Sequence, residues 1–173
     1  MKKEIRTILK NRAIALALEP EQKMMVSEFI EVITFILASE TYCIESVFVR
    51  EVSLLKDFTL LPGVPPFIFG IINVHGQILP VVDLKKFFNL PEKGIGEMNR
   101  VIILQKGNME FGILADFVEG IQTLALDDIL SAPTALSGIE KKYLKGVTKE
   151  HIIILEGANI LDDEKIIVNE EVI

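Results

Sequence analysis

The sequence predicts a mainly-β domain, a small barrel or sandwich built from many short strands. Three observations carry this expectation. Apolar runs rich in β-branched and aromatic residues recur at close spacing along the chain. Breaks containing Gly, Pro or Asn separate them. Helical periodicity is confined to short stretches, chiefly near the N-terminus.

Residues 4–19 read as an amphipathic helix. Ile5, Ile8, Leu9, Ala13 and Leu16 fall at or near three- and four-residue steps, and Pro20 stops the pattern. Residues 21–28 follow as a short helical or irregular stretch. From Phe29 the texture changes. Phe29 to Ala38 reads as a strand, Ser39-Glu40-Thr41 as a turn, and Tyr42 to Val52 as strand with an interruption near Glu45-Ser46. Leu54 to Leu61 is a connector.

Leu61 to Leu90 is the centre of the pattern. It holds four of the seven prolines and three glycines. Two apolar runs, Phe67 to Val74 and Ile78 to Leu84, flank the polar break His75-Gly76-Gln77. Short apolar runs bounded by Gly and Pro suit buried strands, and a brief Gly-containing break between them suits a hairpin with a polar tip. His75 at that tip is expected to be exposed.

Beyond Leu90, Pro91 to Asn99 reads as a polar loop. Arg100 to Gln105 and Met109 to Val118 form a second hairpin around Lys106-Gly107-Asn108. Gln122 to Leu126 is short and extended, Asp127 to Leu130 a brief helical turn, and Ser131 to Gly138 a loop built on Pro133. Tyr143 to Val147 and His151 to Leu155 are two further strands. Asn159 to Lys165 suits a short helix, and the last eight residues read as a tail. The expected organisation is a helical extension over 1–28, the β domain over 29–165 and a tail over 166–173.

Half of the 173 residues are hydrophobic, enough for a sizeable core, and 173 residues suit one domain or two small lobes sharing a core. The longest apolar runs fall short of a membrane span, and the start of the chain lacks a secretory apolar region. These features suggest a soluble, cytoplasmic protein with no direct membrane insertion. The net charge of −7 argues against a general nucleic-acid binder. The charge is uneven: Lys2, Lys3, Arg6, Lys10 and Arg12 against Glu4 give residues 1–12 a charge of +4, which leaves −11 for the rest. A lone cysteine, Cys43, rules out an internal disulfide and suits a buried structural thiol.

The search for catalytic chemistry yields little. His75 and His151 lack metal-ligand spacing around them, and no Ser, Thr or Cys sits in a nucleophile-elbow setting. Neither phosphate-cradling glycine motif is present, and Gly94-Ile95-Gly96 lacks the third glycine and the following helix. The pairs Asp127-Asp128 and Asp162-Asp163 suit turns and helix starts. Asp83 and Asp116, each near the end of an apolar run, suit structural hydrogen bonds into turns.

The stretch Pro65-Pro66-Phe67-Ile68-Phe69-Gly70-Ile71-Ile72-Asn73-Val74-His75-Gly76-Gln77-Ile78-Leu79-Pro80-Val81-Val82-Asp83-Leu84 resembles the CheW family of chemotaxis coupling proteins. The resemblance extends to Tyr42-Cys43-Ile44-Glu45 and Val49-Arg50-Glu51-Val52, to Phe111-Gly112-Ile113-Leu114-Ala115-Asp116, and to Tyr143-Leu144-Lys145-Gly146-Val147, so that it covers roughly residues 29–165. It implies two five-stranded SH3-like β-barrel subdomains around a shared core, here with an added N-terminal α-helix. It implies no catalysis, no cofactor and no metal. The implied role is that of an adaptor joining the cytoplasmic tips of chemoreceptors to the regulatory domain of a CheA-like histidine kinase, recruited to receptor arrays at the membrane. By position, Val49, Glu51, Gly70, His75 and Gly112 would face the receptor, and Asn73 and Gly76 would set the hairpin turn. The kinase contact would lie on exposed apolar ends of one barrel. A scaffold of another two-component pathway, or a small-ligand module using the groove between the barrels, are the alternatives. The family's hairpin arginine is His75 here, and Thr41 replaces a common Glu.

Overall fold

The computed structural model describes residues 28–92, 94–132, 135–136 and 139–166. The helix expected over residues 4–19 and nearly all of the expected tail lie outside them. The described residues begin with β1 (Phe29–Leu37) and β2 (Glu40–Glu45), turn through a 3-10 helix at Ser46–Phe48, and enter β3 (Val49–Leu54). Then come β4 (Ile68–Val74), β5 (Gln77–Val82), the short helix α1 (Leu84–Phe87), β6 (Arg100–Lys106), β7 (Met109–Ala115) and β8 (Phe117–Ala125). After a 3-10 turn at Leu126–Asp128 the chain makes β9 (Ile129–Leu130), β10 (Ala135–Leu136) and β11 (Ile139–Glu140). A last 3-10 turn, Lys141–Tyr143, leads to β12 (Leu144–Thr148), β13 (Ile153–Leu155) and the helix α2 (Gly157–Leu161).

Two main sheets result. The first has the order β8-β1-β2-β13-β12-β9 and the second β3-β6-β7-β5-β4. All neighbours run antiparallel except β13 beside β2 and β5 beside β7. The chain starts in the first sheet, crosses at Ser46 into the second, and returns at Asp116 so that β8 lies against β1. The two sheets are therefore interleaved in sequence.

Apolar packing explains why the sheets curl. The largest cluster lies between them and joins Phe35, Tyr42 and Ile44 of the first sheet to Ile102, Leu104, Phe111 and Ile113 of the second. The alternate side chains of each sheet form a smaller core of their own. In the second sheet these are Ile72, Val74, Leu79, Val81, Val101, Ile103 and Leu114. In the first they are Val32, Cys43, Leu124 and Ile154. A strand that is apolar on both faces reads as an unbroken apolar run, which is how β6 and β7 read in the sequence.

The expectation of two five-stranded barrels needs correction. Among the described residues the first sheet has six strands, because the two-residue β9 is added beyond β12, and neither sheet is closed by a strand ladder. The edges β8 and β9 are joined by a single 3-10 turn, so the first sheet curls strongly without its edges pairing. In the second sheet the chain leaves β3 and touches β4 at one bridge, where Thr59 and Ile71 exchange two hydrogen bonds of 2.9 Å. Asp57, in a left-handed conformation, turns the chain away before a longer ladder can form.

Several local boundaries also move. The first hairpin turns on Ala38-Ser39 and not on residues 39–41, since Leu37 pairs with Glu40. Both turn residues have positive φ, the geometry that matches the twist of a two-residue hairpin. Residues 117–125 form one nine-residue strand, and the break before it is at Asp116. The loop expected over 131–138 contains β10, which pairs with β11. Leu84–Phe87 is helical because the Asp83 carboxylate accepts the Lys85 N–H at 3.0 Å and caps the turn.

One polar contact ties the sheets together. Lys85 of α1 is buried, and its ammonium lies 2.6 Å from Asp116 Oδ1. The other Asp116 oxygen accepts the N–H of Ala38 at 2.9 Å. Asp116 thus links the first hairpin to the helix that follows β5. Asp83 and Asp116 are both structural acceptors at turns.

Candidate functional site

The hairpin β4–β5 ends in a two-residue turn. Val74 pairs with Gln77, and His75 and Gly76 between them have φ of +52° and +86°. Positive φ at both positions defines a type I′ turn, in which Gly is free of steric cost and His is among the residues that tolerate this region. The Asn73 side chain accepts the Gly76 N–H at 2.9 Å and braces the turn. This places the His75 ring outward, with 73% of its side chain exposed.

Opposite the tip lies β3. A bulge between Val49 and Glu51 makes Arg50 the extra residue against β6. Strand alternation would send the Arg50 and Glu51 side chains to opposite faces, yet the bulge lets them converge, with Arg50 Nε 3.5 Å from Glu51 Oε2. The other Glu51 oxygen lies 3.0 Å from His75 Nε2. One Arg50 terminal nitrogen donates to Gln77 Oε1 and to Glu110 Oε1, both at 2.8 Å. Glu110 is nearly buried, and its pairing with Arg50 offsets part of the cost of taking that carboxylate from water. Arg50, Glu51, His75, Gln77 and Glu110 together form a polar cap where the two edges of the second sheet approach.

Of the residues singled out from the sequence, the structure brings Glu51 and His75 into contact and puts Asn73 and Gly76 in the turn beside them. Val49 is half-buried, packs on the core between the sheets and lines an open hollow of about 360 Å³ between residues 47–50 and 105–107. Gly70 and Gly112 present no side chain to a partner. A Cβ on Gly70 would stand 2.3 Å from the Thr59 carbonyl oxygen, at the bridge to β4. A Cβ on Gly112 would stand 2.3 Å from Val101 Cγ1, inside the second sheet's core. Their smallness serves close packing. Sequence reasoning missed Arg50, Gln77 and Glu110 as members of the cluster. The bulge at Arg50 left no mark in the apolar alternation, and a residue 60 positions away gave no signal of proximity.

Catalytic features are sparse among the described residues. Among the described residues, no group of three or more His, Cys, Asp and Glu side chains could hold a metal ion. Cys43 is fully buried, and burial pushes its thiol up to about 12, with Glu45 adding to the shift, so it stays protonated at neutral pH. Burial also raises the Tyr143 hydroxyl, as does its hydrogen bond to Asp163. No helix among the described residues is long and apolar enough to cross a membrane.

Comparison with known proteins gives a consistent picture. The family model described as CheW-like domain matches residues 31–165. The chain is 28% identical over 155 residues to the chemotaxis protein CheW of Treponema pallidum, covering 86% of this chain and 87% of that protein. It is 30% identical over 137 residues to the chemotaxis protein CheW of Bacillus subtilis, covering 78% and 88%. Its structure is similar to that of the scaffolding protein TtCheW from Thermoanaerobacter tengcongensis, with a TM-score of 0.67 and 32% identity, over 73% of this chain and 84% of that one.

Proposed function

The chain belongs to the CheW-like family, and from that premise we propose that it is a non-catalytic adaptor in chemotaxis signalling, coupling chemoreceptors to a CheA-like histidine kinase. The observation that carries the reading is the family match across 135 residues, from 31 to 165, together with relatives of similar length whose names are chemotaxis proteins. The sparse catalytic inventory accords with a protein that works by docking. So do exposed apolar side chains such as Val47, Leu60 and Ile121, which offer contact area outside the core.

The receptor-facing edge in this reading is the hairpin tip with β3 beside it, where Glu51 and His75 meet and Val49 lines the neighbouring hollow. Gly70 and Gly112 support that edge from within by allowing close packing. The kinase would take a separate apolar surface. The protein would act in the cytoplasm and be recruited to receptor arrays by these contacts.

Co-sedimentation with receptor-bearing membranes, with and without the regulatory domain of the host's CheA-like kinase, tests the adaptor role. Binding to both is expected, and failure to bind either one overturns it. His75→Ala tests the edge. An exposed polar contact of this kind contributes about 0–1 kcal/mol, so the melting temperature should barely move while receptor binding weakens. Unchanged receptor binding would remove the tip from the docking surface.

A further inference from the structure

We infer that residues 4–19 fold back as an amphipathic helix onto the outer rim of the first sheet, over Ile121 and Phe29, and hold that rim closed to other partners.

Ile121 is 67% exposed, more than any other large apolar side chain among the described residues. It lies on β8, an edge strand. Among the described residues β8 pairs with β1 alone, so its nine residues leave one side without a strand beside it. Ile121 stands opposite Ile33, which belongs to the core between the sheets. Directly opposed residues share a face, and so do alternate residues along one strand. Phe29, 42% exposed, is therefore on the same face as Ile33 and Ile121. Val118, also on β8, is half-buried against the same core. The rim is thus the outer margin of the main core, where apolar residues continue past the last layer that covers them.

Three observations select the occupant. The first is attachment. Phe29 is on the rim itself, and residues 20–28 join it to residues 4–19. Those nine linking residues reach up to about 30 Å, and a helix over 4–19 would be about 24 Å long, against about 30 Å for β8. The second is the stripe of Ile5, Ile8, Leu9, Ala13 and Leu16. A helix this short is marginal in water alone and draws most of its stability from packing such a stripe. The third is charge. Residues 1–12 carry +4. Residues 28–37 and 117–128, which are β1, β8 and the turn after it, hold Glu28, Glu31, Glu119, Asp127 and Asp128 and no Lys or Arg. Lys149 reaches Asp128 at 3.5 Å, and the region remains negative. A basic amphipathic segment also suits an anionic lipid surface. The acidic, apolar rim beside its own tether favours the chain itself.

Tethering would present the helix to the rim at an effective concentration on the order of millimolar. A partner that uses Ile121 has to displace it. For a chemoreceptor this consequence rests on the adaptor reading, whereas the cover does not.

Hydrogen exchange of the full chain, read by mass spectrometry, tests the cover. Residues 4–19 should exchange more slowly than an unfolded chain, at a rate independent of protein concentration. Ile121→Asp changes an exposed side chain and should leave the melting curve nearly unmoved. It should speed exchange over 4–19 about tenfold, the worth of burying one isoleucine. Ile8→Asp/Leu9→Asp should release the helix from its own side and tighten binding of a chemoreceptor's cytoplasmic fragment. Exchange of residues 4–19 at the unfolded rate in the wild-type chain, or unchanged exchange in Ile121→Asp, overturns the cover. Protection that grows with protein concentration assigns the rim to a second copy and overturns it too, as does protection seen only with phosphatidylglycerol vesicles. Equal receptor binding by wild type and Ile8→Asp/Leu9→Asp overturns the competition and leaves the cover standing on exchange. Absence of receptor binding by both overturns the adaptor reading, and the competition with it.

Discussion

Replacing Lys85 by Met should destabilise the protein through the carboxylate it leaves behind. Lys85 is fully enclosed and its ammonium sits 2.6 Å from Asp116 Oδ1, with only 12% of the Asp116 side chain exposed. Met fills nearly the same volume and is apolar, so the packing around α1 survives and the lost charge dominates. Removing one partner of a buried pair costs about 3–5 kcal/mol, because the remaining charge is neither solvated nor paired. Asp116 retains the Ala38 N–H and some contact with water, which places the expected loss near the lower end, about 3 kcal/mol. For a chain of this length that corresponds to a fall of about 6–12 °C in melting temperature. Urea unfolding at pH 7 provides the direct measurement, with the midpoint lowered and the slope unchanged. The double variant Lys85→Met/Asp116→Asn keeps an acceptor for Ala38, removes the stranded charge and should recover most of the loss. A loss below about 1 kcal/mol for the single variant, in the range of exposed pairs, would refute the role of this contact as a buried joint between the sheets.

Four further substitutions bear on the interior. Gly70→Ala and Gly112→Ala both place a Cβ 2.3 Å from a neighbouring atom, but Gly70 meets the Thr59 backbone and Gly112 meets the buried Val101 side chain. Gly112→Ala should cost about 1–3 kcal/mol, and Gly70→Ala more, by urea midpoints; wild-type stability in either would contradict the packing described. Tyr42 is wholly buried and its hydroxyl has no hydrogen-bond partner among the described residues, so Tyr42→Phe should be neutral or stabilising by up to about 1 kcal/mol. A clear loss on thermal unfolding would show that the hydroxyl is bonded. Burial holds the Asp83 carboxyl above its ordinary value, although Lys85 and the backbone N–H groups it caps pull it partway back. As pH rises from below 4, the unfolded chain therefore releases this proton first, and stability falls until the folded carboxyl ionises too. Asp83→Asn keeps the cap and should be increasingly favoured over wild type as pH rises above the ordinary carboxylate range, until the folded carboxyl ionises; a difference that is constant with pH would refute this.

The candidate site was legible in part. The turn at His75-Gly76 could be read from two apolar runs around a Gly-containing break, because a two-residue hairpin is a local structure. The exposure of His75 followed from its place at the tip. Its contact with Glu51 did not, since the two residues are 24 positions apart and meet only because the second sheet curls. Arg50 was hidden twice, by a bulge that leaves no mark in the apolar alternation and by partners on β5 and β7. Gly70 and Gly112 were picked out by resemblance to a family, yet their reason for being glycine is a close approach that no one-dimensional pattern records.

The sequence by itself determined that this chain is mainly β and roughly where many of its strands lie. Those properties depend on side-chain periodicity and on turn residues, whose effects act over a few neighbours. Only the tertiary structure decided how the strands are shared between the sheets. It placed β8 against β1 and left both sheets without a closing ladder. It also buried Lys85 against Asp116 at their joint and gathered Arg50, Glu51, His75, Gln77 and Glu110 into one polar cap. These outcomes follow from long-range pairing and from the competition among three apolar cores for the same strands.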